Sequence, residues 1–446
     1  MDHSDALIVG GGFTGLATAM ALARQGRTVT VLEARTGKNP AFRGELLHPP
    51  GVQGLRELGL FAGVRARGGV EVTGFAVIPD ERAPAVELPY EPPPLGMGNG
   101  FAVDHHELVD AMRDAVCAHP LVRLHLGARV TDVVREGGRV RGVRTADAEY
   151  RAPLTLVCEG RLSRLRATLG IVEDSRLLSY TAALLARGAA LPYPGHGHVV
   201  IGPPGPVLAY PIGGAVRLCI DMPLDTPRGR DAIAQRLRRD YAPRLPAPIA
   251  DAVHAALDRD AFELCATQQV RTGACVVPVA GLVGDAGGCS HPITAAGMTN
   301  SLNDVRALAS ELLGVYDENG VDLALGRYER RRYRYVRARE MLSERLYDVF
   351  LARDEGMRAL RSGMLSYWKD TARARVASMA LLSGQRSDLG AFAKEFAVVF
   401  GYATAGALRH GSGALRERAS AFARLTDATR ATLSRAASTA VREMLR

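Results

Sequence analysis

Three glycines near the start of the chain have the spacing of a phosphate-binding turn. They are Gly10, Gly12 and Gly15, in the pattern G-x-G-x-x-G. The first glycine permits a tight turn, the second lets the backbone approach a pyrophosphate, and the third lets the following helix press against a sheet. The amides and dipole of that helix start favour a negatively charged ligand. The spacing alone is a weak signal of dinucleotide binding, so the surrounding elements decide its weight.

Those elements have the order of a βαβ unit. An apolar strand at residues 6–9 precedes the turn, an alanine-rich helix follows it, and a second apolar strand occupies residues 29–32. Glu33 ends this strand about 20 residues after the turn, where a carboxylate can accept both hydroxyls of an unphosphorylated ribose. The unit therefore predicts a dinucleotide-binding α/β domain. Three neighbours are also assigned to the cofactor site: Phe13, Thr14 and Ala34.

A second motif lies far along the chain. Residues 281–286 read Gly-Leu-Val-Gly-Asp-Ala, and residues 291–298 read His-Pro-Ile-Thr-Ala-Ala-Gly-Met. They resemble the G-D-A and H-P-L-T-G-G-G-M segments of squalene epoxidases, within the single-component FAD monooxygenases. The resemblance implies that Asp285 binds the ribityl or pyrophosphate end of FAD. It also implies that the helix start at Gly297 and Met298 faces the flavin pyrimidine, where backbone amides stabilise an anionic reduced flavin.

Other segments match the same family in order and spacing. Residues 43–49, Arg-Gly-Glu-Leu-Leu-His-Pro, resemble the loop after the second strand, and residues 153–166 resemble the D-G motif, with Glu159 in place of Asp. Arg113 follows an Asp-His-His segment, and the resemblance places it against the flavin phosphates. A strand predicted at residues 123–134 would hold the adenine. The resemblance implies three further cofactor contacts: Arg43, Leu46 and, through its backbone, Arg129.

The middle of the chain predicts an antiparallel substrate sheet. Alternating segments at 198–201, 206–212 and 216–222 are separated by Gly and Pro turns. Such a sheet roofs the flavin in the family, so Tyr210 is a pocket candidate, although a core tyrosine with a satisfied hydroxyl fits the pattern equally well. The resemblance gives four more pocket candidates: His48 and Phe75, where the family has Gln and commonly Tyr, and His291 and Pro292. A histidine before a proline is also typical of a residue that shapes a turn.

The resemblance implies an FAD-dependent monooxygenase. One oxygen of O2 would pass from a flavin C4a-hydroperoxide to a hydrophobic prenyl or polyene-type substrate, with epoxidation favoured. NADH or NADPH would supply the electrons, directly or through a reductase. A neutral alkene needs no acid or base, so no catalytic side chain is assigned and the protein orients the substrate and excludes water. The alternatives are a ring hydroxylase or epoxidase of a prenylated quinone or quinolone, an FAD-dependent prenyl reductase, and a flavin-containing membrane adaptor.

The cysteine spacing and the net charge limit which metal sites and partners are expected. The six cysteines follow no C-x-x-C spacing, so no zinc site, redox pair or disulfide framework is predicted, and no other metal cluster is evident. The formal net charge is +9, and much of the surplus arginine lies beyond residue 327. Because nucleic-acid motifs and aromatic interleaving are missing, an anionic membrane surface is favoured over nucleic acid as a partner. No apolar run approaches the roughly 20 residues that a spanning helix needs.

The C-terminal region alternates apolar and basic residues at helical spacing. Residues 376–382 and the stripe between 392 and 403 are too short to span a membrane but suit its interface, and residues 415–444 repeat the design with interleaved arginines. Peripheral association with the cytoplasmic side of a membrane is expected, and packing on the protein itself or on a dimer partner is the competing explanation. Seven arginines within residues 324–340 predict a solvated basic helix.

The predicted fold is α/β, with a Rossmann-type FAD-binding domain, an interleaved antiparallel β substrate domain and a C-terminal α-helical membrane-associating region. The expected boundaries are 1–170 and 271–340 for the two parts of the FAD-binding domain, 171–270 for the substrate domain and 341–446 for the helical region. A length of 446 residues suits two interleaved domains plus an appendage. The expected partners are a hydrophobic small molecule, O2, a membrane surface and a reductase.

Overall fold

A computed structural model describes residues 4–37, 44–79, 84–92 and 96–410. The strands are β1 Ala6–Val9, β2 Val29–Glu33, β3 Leu46–Leu47, β4 Val70–Val72, β5 Gly74–Ile78, β6 Val86–Pro89, β7 Gly100–Ala102, β8 Val122–Leu126, β9 Asp132–Glu136, β10 Arg139–Arg144, β11 Glu149–Arg151, β12 Thr155–Val157, β13 Glu173–Arg187, β14 His196–Val200, β15 Val207–Ile212, β16 Ala215–Met222, β17 Phe262–Thr272, β18 Val276–Val277 and β19 Ala280–Leu282. The helices are α1 Phe13–Ala23, α2 Pro49–Glu57, α3 Phe61–Arg65, α4 His105–Cys117, α5 Leu165–Thr168, α6 Arg230–Arg236, α7 Ala247–Asp258, α8 Gly297–Leu312, α9 Glu318–Leu351, α10 Glu355–Asp370, α11 Ala372–Leu382 and α12 Leu389–His410.

The predicted βαβ unit forms the centre of a six-stranded sheet. The strand order is β18-β19-β12-β1-β2-β8, and β1 pairs in parallel with both β2 and β12. All four residues of β1 are buried, as expected for a parallel strand covered on both faces. Helix α1 packs against α4 and α8 beside this sheet. The first strand, the glycine turn and the second strand are therefore confirmed as elements of one α/β layer.

The single strand predicted at residues 123–134 is wrong. The segment forms two strands, because β8 extends the parallel sheet beside β2 while β9 joins the separate antiparallel sheet β11-β10-β9. Gly127, with a φ of 77°, lies between them in a left-handed conformation that favours glycine. Arg129 thus belongs to the connection between two sheets.

The predicted middle strands lie in a seven-stranded sheet with the order β17-β13-β16-β15-β14-β5-β6. The antiparallel segments at 198–201, 206–212 and 216–222 correspond to β14, β15 and β16. Strands β5 and β6 come from much earlier in the chain, and β5 pairs in parallel with β14. The sheet therefore does not begin at residue 171. One face of this sheet packs against α7, whose Ile249 and Val253 are buried there. The other face contributes to a second core and to the cavity described below.

Helices α10, α11 and α12 pack on each other, and α10 and α11 also pack on strand β6. The apolar stripe expected at a membrane interface lies largely in this packing, since Phe392, Phe396 and Ala403 are buried in the protein. Met379 of α11 is buried in the same core. For residues 376–403 the structure thus shows the competing arrangement, in which the helices pack on their own protein. The basic amphipathic pattern at 415–444 lies outside the described residues. Within the described part, no helix combines the length and apolarity required to cross a membrane.

A buried ion pair connects α8 with the long helix α9. Asp304 Oδ2 accepts hydrogen bonds from Arg332 Nε and from the Gly284 amide, both at 2.8 Å. Arg332 also donates to the carbonyls of Gly287 at 2.9 Å and Gly284 at 3.2 Å, and the Tyr335 hydroxyl donates to Asp304 Oδ1. The prediction that the arginine-rich helix is solvated is therefore wrong at this position, where the arginine joins three segments of the core.

Candidate functional site

One cavity of about 750 Å³ extends from the glycine turn to the loop before α8. It brings together residues that are far apart in the sequence. The predicted residues that line it are Gly10, Gly12, Phe13, Thr14, Glu33, Ala34, Leu46, Arg113, Arg129, Tyr210, Asp285, His291, Pro292, Gly297 and Met298. Gly15 lies in α1 beneath the turn, and Arg43 lies outside the described residues. His48 and Phe75 are not among the lining residues.

Each of the three glycines of the turn occupies its position for a different geometric reason. Gly10 has a φ of 106°, and a Cβ there would lie 2.7 Å from the Cys158 carbonyl oxygen. A Cβ on Gly15 would lie 1.8 Å from the Gly10 carbonyl oxygen, so this glycine allows α1 to meet the turn. A Cβ on Gly12 would meet no atom of the described residues within 4 Å. Gly12 therefore faces open space at the cavity, which is the clearance that a pyrophosphate requires.

Glu33 is oriented at the cavity edge by two backbone amides. Its Oε2 accepts from the Gly11 amide at 2.7 Å, and its Oε1 accepts from the Arg35 amide at 2.8 Å. A carboxylate has about four acceptor positions, so two hydrogen bonds leave capacity for ribose hydroxyls. The glycine turn and the acid are thus held in one arrangement by the Gly11 contact.

Arg113 extends from α4 into the cavity lining. Its Nη1 pairs with Asp110 Oδ1 at 3.0 Å, whereas its Nε is buried without a hydrogen-bond partner among the described residues. A buried guanidinium N–H is costly unless it is hydrogen-bonded. This unsatisfied donor fits an anionic cofactor group at the same cavity.

The start of α8 is the other polar end of the cavity. This helix has no acidic residue in its first turn, and no side chain of the described residues caps its N-terminus. A Cβ on Gly297, its first residue, would have open space around it out to 4 Å in the part of the chain that the structure describes. The open amides and the positive end of the helix dipole therefore suit a negatively charged group.

The seven-stranded sheet covers the cavity with seven uncharged side chains, here called the roof: Thr181, Val199, Leu208, Tyr210, Cys219, Cys265 and Thr267. Thr181 and Thr267 hydrogen-bond to each other at 3.0 Å. Burial raises the pKa of Cys219 to about 12, so its thiol is neutral at physiological pH. The Tyr210 hydroxyl donates to Glu45 at 3.0 Å, and burial holds the Tyr210 pKa well above its usual value. The Tyr210 hydroxyl is therefore hydrogen-bonded within the protein, as in the core tyrosine that the sequence left as an alternative.

Glu45 is buried under the roof and is paired with Arg217. Two hydrogen bonds of 2.8 Å join the guanidinium to the two carboxylate oxygens. Burial raises the pKa of Glu45, and the hydrogen bonds from Arg217 oppose that shift. The pair connects the loop before β3 to strand β16, so it fixes the position of Leu46 at the cavity.

His291 lines the cavity, and both of its ring nitrogens have protein partners. Nδ1 accepts from the Ile293 amide at 3.1 Å, so Nε2 carries the proton and donates to Asp221 at 3.2 Å. Asp221 also accepts from Ser179 at 2.5 Å and from the Tyr347 hydroxyl at 2.7 Å. These contacts join the loop before α8 to the sheet and to α9, which is the role of a residue that shapes a turn.

His48 and Phe75 lie behind Leu46 in the second core, where Phe75 packs against the His48 ring. His48 Nε2 donates to the Thr294 carbonyl at 2.7 Å, and Nδ1 accepts from the Tyr90 hydroxyl at 2.5 Å. Burial lowers the pKa of His48 to about 4, so the ring is neutral at pH 7. Their alignment with the family loop did not reveal that their side chains pack away from the cavity.

Three ionic residues at the cavity, one on α8 and two on α9, were not predicted from the sequence. Asp304, Arg332 and Arg339 are all buried and all line the cavity. The signal was present as helical spacing, because Tyr328, Arg332 and Arg339 are separated by four and seven residues and face the interior together. Among the described residues, no group of three or more His, Cys, Asp or Glu side chains could hold a metal ion.

A glycine turn, an acid at the cavity edge, an arginine and an open helix start around one cavity are the features of an FAD-dependent oxidoreductase. In agreement, the family model for FAD dependent oxidoreductases matches residues 5–55. The squalene epoxidase family model matches residues 151–417, more than half of the chain. The chain belongs to the squalene epoxidase family. It is an FAD-dependent monooxygenase, and FAD is its cofactor.

Relatives and solved structures agree with this assignment. The chain is 31% identical over 393 residues to squalene epoxidase 3 of Arabidopsis thaliana, covering 85% of this chain and 74% of the relative. It is 28% identical to the squalene monooxygenase of Rattus norvegicus, covering 90% and 71% of the two chains. The fold is similar to FAD-complexed HpxO of Klebsiella pneumoniae, with a TM-score of 0.71, 22% identity and coverage of 85% and 98%. PqsL of Pseudomonas aeruginosa, a probable FAD-dependent monooxygenase, gives a TM-score of 0.64 at 23% identity, covering 85% and 99%.

The different roles of the glycines generate a paired mutational test. Gly12→Ala is expected to fold normally and to weaken FAD binding about tenfold or more, about 1.4 kcal/mol, because its Cβ fills only the cavity. Gly15→Ala is expected to lower the free energy of unfolding by about 3 kcal/mol or more, because its Cβ collides with the Gly10 carbonyl. FAD titration and denaturant unfolding of both variants measure the two effects. Unchanged FAD affinity in Gly12→Ala would move the pyrophosphate away from this turn.

The neutral His48 predicts a pH-dependent stability. Its pKa is about 4 in the folded protein, against the ordinary histidine value of 6.5, so the unfolded chain binds the proton first as the pH falls. Stability is therefore lost from about pH 6.5 downward, at a cost of about 2 kcal/mol by pH 5 from this residue. His48→Gln should reduce the loss between pH 7 and pH 5 in denaturant titrations, whereas the exposed control His125→Gln should not. Equal pH profiles for both variants would contradict a buried neutral His48.

Proposed function

We propose that the chain uses reduced FAD and O2 to add one oxygen atom to a hydrophobic prenyl or polyene-type substrate, with epoxidation as the favoured reaction. The observation that carries the proposal is the continuous cavity, which joins the glycine turn to the uncharged side chains of the roof. Membership of the squalene epoxidase family supports the choice of an isoprenoid substrate. The sequence-predicted division into an FAD-binding domain, a substrate domain and a helical region is retained in this proposal, with β5 and β6 added to the substrate sheet.

The residues that would hold FAD follow from the geometry of the cavity. Gly12 gives clearance for the pyrophosphate, Glu33 accepts from the ribose, and Arg113 offers an unsatisfied donor to the phosphates. Asp285 would bind the ribityl or pyrophosphate end, and the α8 amides at Gly297 would face the pyrimidine. Reduced FAD supplies the activation of O2 for oxygen transfer. The remaining cofactor contacts in the proposal are Gly10, Phe13, Thr14, Gly15, Ala34, Arg43, Leu46, Arg129 and Met298.

The roof supports a substrate that reacts without a side-chain acid or base. Tyr210, Asp221 and His291 each have hydrogen-bond partners inside the protein. Cys219 is a neutral thiol, and the roof threonines bond to each other. Such a surface orients an apolar chain by contact and excludes water from the reacting atoms. The roof and the residues Pro292 and Leu46 are therefore the proposed substrate contacts. His48 and Phe75 would act from behind Leu46.

We further propose that NADH or NADPH supplies the electrons, directly or through a reductase, and that the chain binds the cytoplasmic side of a membrane peripherally. The membrane proposal rests on the basic amphipathic pattern at residues 415–444 and on the net charge of +9.

Basic residues near an anionic surface contribute about 1 kcal/mol each, so flotation with anionic liposomes should weaken as salt is added. Deleting residues 411–446 should abolish flotation and leave FAD bound, because the cavity lies in residues 9–340. Liposomes of neutral lipid are the control. Salt-independent flotation, or full flotation of the truncated chain, would contradict the proposal.

A substrate series tests the oxygenation proposal. Squalene, a farnesylated quinolone, a prenylated quinone and a tailless aromatic would be offered with NAD(P)H, with and without a reductase, under labelled O2. Each buried methylene contributes about 0.8 kcal/mol, so shortening a prenyl tail by one five-carbon unit should weaken binding by a few kcal/mol.

The mass of each product distinguishes the possible reactions. One labelled oxygen in a prenylated product supports the proposal. A hydrogenated product without label would identify a prenyl reductase, and equal turnover of the tailless aromatic would identify an ordinary aromatic hydroxylase.

A further inference from the structure

Arg339 is a buried cation at the cavity, and its charge is not balanced by an ion pair with any acid of the described residues. Its side chain extends from α9, and the residue is only 9% exposed. Its Nη2 donates to the Ala296 carbonyl at 3.5 Å, whereas Nη1 is buried without a hydrogen-bond partner in the described part of the chain. Burial lowers its pKa to about 10, which leaves the guanidinium charged at neutral pH. A buried charge of this kind is costly unless a ligand compensates it.

The neighbouring acids are committed elsewhere. Asp304 is bonded to Arg332, to the Gly284 amide and to the Tyr335 hydroxyl. Glu340 pairs with Arg337 at 2.7 Å and with Arg271 at 3.3 Å. Asp285 acts on Arg339 through its longer-range charge. None of these acids forms an ion pair with Arg339, so an anion bound in the cavity would be its direct partner.

The location of Arg339 indicates which molecule that is. Ala296, whose carbonyl accepts from Arg339, is the N-cap of α8, and the next residue is the open Gly297. The uncapped helix start and the guanidinium are thus two positive groups at one end of the cavity. The same end is the proposed site of the flavin pyrimidine, whereas the side chains of the roof are uncharged.

We propose that Arg339 and the N-terminus of α8 together form an anion site for reduced FAD. Two electrons and one proton, delivered from a reduced nicotinamide, convert the neutral flavin ring into an anion with one negative charge. Arg339 forms no bond with the electron donor and exchanges no proton; its charge stabilises the reduced ring over the oxidised one. This inference rests on the proposed placement of FAD, and it predicts that Arg339 raises the reduction potential of the bound flavin.

The test compares three variants of the full chain loaded with FAD. Arg339→Met removes the charge and keeps an unbranched side chain, Arg339→Lys keeps the charge, and Arg334→Met removes a charge from an exposed position of the same helix outside the cavity. The binding of oxidised FAD is measured by titration, and the reduction potential is measured by stepwise reduction with a reference dye. In Arg339→Met, oxidised FAD should bind within about twofold of the unmodified chain. The same variant should bind reduced FAD about 100-fold more weakly relative to oxidised FAD. For a two-electron couple a tenfold change corresponds to about 30 mV, so the reduction potential should be about 60 mV lower.

Arg339→Lys should recover part of the potential, and Arg334→Met should leave it unchanged. The unfolding of FAD-free Arg339→Met should occur at the same or higher denaturant concentration, because an uncompensated buried charge has been removed. An unchanged potential in Arg339→Met overturns the inference, as does an equal shift in Arg334→Met. If Arg339→Met does not fold, an unchanged potential in Arg339→Gln decides against it. Failure of the unmodified chain to bind FAD would instead refute the proposed function.

Discussion

The arrangement of the site depends on the buried ion pair between Asp304 and Arg332. Taking two charges out of water is costly, and the cost is offset only when good geometry and further hydrogen bonds satisfy both groups. Here the carboxylate also binds the Gly284 amide, and the guanidinium also binds the carbonyls of Gly284 and Gly287. The pair therefore holds the turn that carries Asp285, the helix α8 and the helix α9 in one arrangement. These contacts fix the Asp304 side chain, and through it they hold the N-terminus of α8 at the cavity.

The same constraint places Arg339. Arg332 and Arg339 are seven residues apart on α9, which corresponds to nearly two helical turns and brings both side chains to one face. Each guanidinium nitrogen of Arg332 donates to Asp304 or to a backbone carbonyl. Arg339 Nη2 donates to the Ala296 carbonyl, whereas its Nη1 has no hydrogen-bond partner among the described residues. One arginine thus builds the structure and the other offers charge to the cavity. The difference is set by the position of the acid and not by the arginine-rich sequence.

The sequence is most informative about features of the site that have local causes. The glycine turn, Glu33 and the α8 start depend on backbone needs within a few residues, and the structure places them around one cavity. The errors concern long-range packing. The chain changes sheets at Gly127, where one strand is predicted, and the stripe including Phe396 faces its own protein. Helical periodicity identifies an apolar face but does not state whether protein or lipid covers it. The burial of Arg332 escapes prediction for a related reason, since an arginine-rich helix is usually solvated.

His48, which stands where the family has Gln, lies behind Leu46 and contacts the segment that leads into α8. The neutral ring accepts from Tyr90 and donates to the Thr294 carbonyl, so it has the hydrogen-bond capacity of one donor and one acceptor. A glutamine amide provides the same capacity, which explains how either residue can occupy this position. Thr294 belongs to the short helical turn Pro292–Thr294, two residues before the N-cap of α8. His48 therefore helps to fix the start of α8, and its low pKa keeps that contact unchanged through the physiological range.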